Sequence, residues 1–151
     1  MTDKRQPRIL LADDEELLLH VLAIKFTRAG LCVLTAKDGQ EAWDKCLLER
    51  PDLLLVDYQM PVVDGLELCT KLLAHPDMCN MPVMVITTPW CHVADQFRAL
   101  ANVKDMIDKP FSSKELLVKV QRLVGVQAPK GAGQDEQGQS VLPGAPTPRT
   151  A

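Results

Sequence analysis

Three apolar runs in this chain each end abruptly on an acid or a hydroxyl: Ile9 to Ala12 on Asp13 and Asp14, Leu53 to Val56 on Asp57, and Val83 to Ile86 on Thr87 and Thr88. A fourth, shorter run, Met106-Ile107, passes Asp108 and ends on Lys109-Pro110. Residues that are apolar consecutively rather than alternately mark strands covered on both faces, as in a parallel sheet. The segments between them carry helical spacing. Glu15 to Ala29 sets Leu18, Leu22 and Phe26 four apart, with Val21 and Lys25 filling out the turns and Gly30 as the stop. A short second strand over Cys32 to Ala36 is followed by Asp38-Gly39 and a helix from Gln40 to about Glu49, with Ala42, Trp43, Cys46 and Leu47 as its apolar stripe.

The spacing further predicts helices from about Leu66 to Ala74 and from about His92 to Ala101, with Asn102 placed as a left-handed cap. A fifth strand is expected over Asp105 to Asp108. A last helix, capped by Ser112 or Ser113, would bury Leu116, Leu117, Val120, Leu123 and Val124 and stop at Gly125. Such β-α alternation implies a parallel sheet between two helical layers, joined by right-handed crossovers.

Composition narrows the picture. A length of 151 residues with 46% hydrophobic positions suits one domain. The net charge of −3 and the scattered basic residues argue against nucleic acid as a partner. No apolar stretch reaches the length of a membrane span and the N-terminus lacks a signal-peptide core, so a cytoplasmic protein without membrane contact is expected. The five cysteines are widely spaced with no C-x-x-C pair, as expected of buried thiols rather than disulfides or a zinc site. The chain divides into an N-terminal extension over 1–7, a folded domain over 8–125 and a Pro/Gly-rich tail over 126–151 that has too little apolar content to fold. Pro143 and Pro146 form a P-x-x-P spacing that arises readily by chance in such a tail.

In an open parallel sheet the ligand site lies beyond the carboxyl ends of the strands, so Asp13, Asp14, Asp57, Thr87 and Lys109 should converge. Singly, each has a plainer role: Asp13 or Asp14 as a helix cap, Asp57 as a turn residue, Thr87 as a strand-end filler, Lys109 as a solvated side chain. Together they make a different case. Three acids at neighbouring strand ends repel one another unless a cation sits among them, and carboxylates without nearby Cys or His favour Mg²⁺. A carboxylate in that setting can attack a phosphoryl group in line, with Lys109 and the Thr87 hydroxyl meeting charge on the equatorial oxygens.

The chain thereby resembles the response-regulator receiver domains, the family of the bacterial chemotaxis response regulator, from about Arg8 to Val124. The resemblance rests on Asp13-Asp14, on Asp57 followed by Met60-Pro61 and Asp64-Gly65, on Thr87 and on Lys109-Pro110-Phe111. It implies a flavodoxin-like α/β fold, doubly wound, with five parallel strands in the order 2-1-3-4-5 and helices on both faces. It implies Asp57 as phosphoacceptor and Mg²⁺ as cofactor, ligated by Asp14, Asp57 and the Gln59 backbone carbonyl, with Asp13 acting largely through water. Thr87 would be the switching hydroxyl and Lys109 the phosphoryl contact. The donor would be a phosphohistidine on a sensor histidine kinase or histidine phosphotransfer protein. The implied role is a single-domain regulator of a two-component phosphorelay that switches protein binding and is not a turnover enzyme.

One position departs from the family pattern: Met106 stands three residues before Lys109, where the family usually carries Tyr or Phe. Switching would then run through Thr87 and Met106 without an aromatic. Loss of Lys109 is expected to spare folding, since its implied contact is with phosphate. Alternatives are a pseudo-receiver scaffold that never gains phosphate and an intermediate receiver that shuttles it. A flavin carrier on the same fold is disfavoured by the acids of Asp13-Asp14-Glu15-Glu16, which would repel a phosphate. An aspartyl phosphohydrolase is disfavoured because Gln59 and Pro89 supply no second acid.

Overall fold

The computed structural model describes residues 5–125. The expected disordered tail over 126–151 and the start of the N-terminal extension lie outside these residues. The elements alternate from the first residue of the sheet onward: β1 (Arg8–Ala12), α1 (Glu16–Arg28), β2 (Cys32–Ala36), α2 (Gly39–Glu49), β3 (Leu53–Asp57), α3 (Gly65–Ala74), β4 (Val83–Thr87), α4 (Ala94–Arg98), β5 (Val103–Asp108) and α5 (Ser113–Leu123). All neighbouring strands pair in parallel. Their order is β2-β1-β3-β4-β5, so the chain reverses direction across the sheet between β1 and β3. That reversal opens the crevice in which α/β sheets of this kind bind ligands.

Two cores form because the strands are apolar on both sides. Leu10, Leu54, Val56 and Val85 pack with Leu68, Leu72 and Phe97 from α3 and α4. On the other face Ile9, Leu11, Leu55 and Ile86 pack with Leu19, Leu22 and Phe26 of α1 and Leu116 and Val120 of α5. The buried face of α1 therefore runs through Leu19 rather than Val21, which is exposed. The five thiols are free, and burial pushes those of Cys46 and Cys69 up to about 12, consistent with inert core filling. No helix among the described residues is long and apolar enough to cross a membrane.

Local chemistry sets the helix ends. Asp38, Asp64 and Ser112 accept from the backbone N–H groups of Glu41, Glu67 and Glu115, capping α2, α3 and α5. By contrast α4 is one short turn and not the expected helix from His92 to Ala101. Its leading residue Val93 supplies no side-chain acceptor, and the Gln96 and Leu100 N–H groups turn to residues three positions back, tightening both ends. Asn102 is not the left-handed cap expected of it. It is buried, and its side-chain amide donates to the Cys69 carbonyl at 3.1 Å, tying the start of β5 to α3.

The left-handed non-glycine residues among those described are Arg50 and Val62. Val62 lies in the β3–α3 loop at φ 70° and is 76% exposed, so a β-branched side chain bears steric strain with little burial in return. Val62→Gly is expected to raise stability by about 1 kcal/mol, the relief of strain exceeding the added chain entropy. An unchanged or lower urea midpoint for the variant would contradict this.

Candidate functional site

The carboxyl edge of the sheet gathers the predicted residues. Asp13 and Asp14 follow β1, Asp57 ends β3, Thr87 ends β4 and Lys109 follows β5. Asp13 and Asp57 are buried, at 3% and 7% exposure, while Asp14 is exposed. One carboxylate oxygen from each lies within 4.8 Å of the others. The Lys109 ammonium lies 3.5 Å from both Asp13 and Asp57. The Lys109-Pro110 peptide bond is cis.

The backbone around Asp57 is held from two sides. Gly65 donates its N–H to the Tyr58 carbonyl at 2.8 Å, and a Cβ there would stand 2.8 Å from the Asp57 carbonyl oxygen and 2.9 Å from the Tyr58 Cα. The Asp64-Gly65 pair thus caps α3 and lets its first turn close directly onto the strand end. Tyr58 in turn stacks edge-on against Phe97 of α4, with ring centroids 5.5 Å apart.

Burial opposes the ionised form of Asp57, and the neighbouring Asp13 carboxylate adds to the effect; the Lys109 ammonium offsets only part of it, leaving a pKa of about 6. Asp13 is also raised, first by burial, although the Glu15 backbone N–H donates to it at 2.9 Å. Burial alone would lower Lys109, but Asp57, Asp13 and Glu15 together raise it. Asp13 Oδ2 is buried without a hydrogen-bond donor. Its counter-charge is the Lys109 ammonium at 3.5 Å, and a buried carboxylate oxygen met only by that ion pair, beside two further acids, suits a hard divalent cation. Asp13, Asp14 and Asp57 fit a Mg²⁺ ion. Gln59 lies two residues past Asp57, exposed in the β3–α3 loop.

Three contacts were not legible as site features. Glu15 brings a further carboxylate within 3.8 Å of Lys109. The Thr87 hydroxyl donates to Asp108 Oδ1 at 2.8 Å. Tyr58 reaches Phe97. Asp108 is visible in the sequence as the last acid of the fifth strand, but nothing in its spacing pairs it with Thr87; the β4–β5 register does. Met106 pairs with Val85 and packs half-buried against the core on the α4 side.

A doubly wound parallel sheet whose carboxyl edge holds three acids, a hydroxyl and an ammonium group defines a flavodoxin-like domain with an acidic cluster suited to a hard cation at its switch point. The chain belongs to the response regulator receiver domain family, whose model matches residues 9–121. It is 35% identical over 129 residues to the response regulator MprA of Mycolicibacterium vanbaalenii, a match covering 84% of this chain and 54% of that protein. The chain spans about half the length of the curated relatives it matches.

Among solved structures it is similar to the chemotaxis response regulator CheY4 of Vibrio cholerae, with 27% identity and a TM-score of 0.72, covering 78% of this chain and 98% of that one. It is also similar to the receiver domain of a Pseudomonas aeruginosa sensor histidine kinase, solved with a magnesium ion coordinated in its active-site cleft. That match has 26% identity and a TM-score of 0.68, covering 80% of this chain and 98% of that one.

Proposed function

We propose that Asp57 is the phosphoacceptor of a two-component phosphorelay, charged from a phosphohistidine on a sensor histidine kinase or histidine phosphotransfer protein. The observation that carries this reading is the buried Asp57 carboxylate, set within 4.8 Å of its two acidic neighbours and 3.5 Å from Lys109. A Mg²⁺ ion held by Asp13, Asp14, Asp57 and the Gln59 carbonyl would supply the positive charge that lets an anion approach. An Asp57 oxygen forms the new O–P bond as the N–P bond of the phosphohistidine breaks, and the imidazole leaves with its electron pair. Lys109 then exchanges its carboxylate contacts for a phosphoryl oxygen, and the Thr87 hydroxyl donates to another. Met106, unbranched and half-buried on β5, repacks beside Thr87 and carries the change toward a protein-binding surface.

Incubation with a small phosphodonor and Mg²⁺, followed by intact mass measurement, tests the assignment. One phosphoryl group should appear on the wild type, and none on Asp57→Asn or in excess chelator. Incorporation that persists in either control rules out this role for Asp57.

A further inference from the structure

We infer that Asp108 is a positioning residue for the Thr87 switch, a latch that holds the hydroxyl away from the phosphoryl position until phosphorylation competes for it. The inference rests on the reading of Asp57 and Thr87 just given. Thr87 is 4% exposed, and its hydroxyl donates to Asp108 Oδ1 at 2.8 Å. A threonine hydroxyl carries one proton. It cannot donate at once to the Asp108 carboxylate and to a phosphoryl oxygen on Asp57, so the two bonds are mutually exclusive. Both acceptors are anionic, so each offers the hydroxyl a charge-assisted bond and the two compete directly.

The contact is built into the sheet. Thr87 and Asp108 are register partners at the ends of β4 and β5, and the Thr87 carbonyl accepts from the Lys109 N–H at 2.8 Å. Asp108 is exposed, so a released carboxylate passes into water at little cost. Along β5, Asp108 and Met106 share a face, two residues apart. Breaking the latch therefore removes the side-chain tie at the end of β5, between Met106 and the following Lys109, while the backbone ladder stays in place. A chain without an aromatic at position 106 would hold its resting state through this bond.

The test titrates the full chain with beryllofluoride, a phosphoryl mimic, in the presence of Mg²⁺, following the amide shifts of Met106 and Ile107. Asp108→Ala should bind the mimic roughly fivefold more tightly than wild type, since the competing acceptor is gone. Asp108→Asn, whose amide carbonyl still accepts from Thr87, should fall closer to wild type. In a Thr87→Val background the effect of Asp108→Ala should vanish. Equal or weaker binding by Asp108→Ala, or the same gain without the Thr87 hydroxyl, overturns the latch. Failure of wild type to respond through Asp57 would count against the receiver reading instead. The latch would then be judged on the unliganded protein, where Thr87→Val and Asp108→Ala must be non-additive in melting temperature; additive effects would overturn it.

Discussion

Asp57→Asn, while losing phosphoryl acceptance, is expected to be more stable than wild type at neutral pH. In the folded protein the Asp57 carboxyl has a pKa of about 6 against an ordinary value of 3.8, chiefly because it is buried and secondly because Asp13 stands beside it. Between these values the folded state holds a proton that the unfolded state has released, so stability falls as pH rises through the window and stays lower above pH 6. A shift of this size corresponds to at most about 3 kcal/mol. Asparagine removes that cost but also takes one anionic partner from Lys109, which leaves a net gain of about 2 kcal/mol at pH 7.5. Urea unfolding of both proteins at pH 7.5 and pH 4.5 reads this directly. The advantage of the variant should shrink toward pH 4.5, and an advantage independent of pH would refute the electrostatic cause. The acid proposed as phosphoacceptor is thus a local burden on the fold, as is common where a site buries like charges together.

Lys109→Met should have the opposite effect, destabilising the protein by about 2 kcal/mol at pH 7, because two buried carboxylates lose the ammonium 3.5 Å away. This revises the expectation from sequence, in which Lys109 served only a phosphate and its loss spared the fold. Methionine keeps the length of the stem, so the change isolates charge from packing. Two conditions should rescue the variant. Lowering the pH toward 4.5 protonates Asp57, whose pKa is about 6, and Mg²⁺ replaces the missing positive charge. The Lys109 ammonium is itself raised, so its stabilisation is complete below its ordinary value of 10.5 and is lost as pH climbs through the higher folded value. A melting temperature that matches wild type at pH 7 without Mg²⁺ would show that Lys109 does not hold the resting site together.

Much of this protein was legible before folding because its signals are local. Consecutive apolar runs such as Leu53 to Val56 mark strands buried on both faces, and the alternation of such runs with helical stripes leaves a parallel sheet as the consistent solution. Gly30 and Gly125 stop their helices with positive φ, as their positions indicated. Asp13, Asp14, Asp57, Thr87 and Lys109 could be nominated together since each ends or follows a strand. Other features depend on partners distant in the chain. Helix α4 is short, with no side-chain cap at Val93 and three-residue backbone bonds at both ends, and Asn102 turned inward because the Cys69 carbonyl lies there to meet it. The choice of Leu19 over Val21 for the core came from the rotation of α1 on the sheet, which a single helical stripe leaves free by a residue. Above all, the electrostatic balance of the site belongs to the tertiary structure. Sequence places acids and a lysine at strand ends, but only the register of β4 against β5 and the depth of the crevice decide that Lys109 bridges Asp13 and Asp57, and that Asp108 claims the single proton of Thr87.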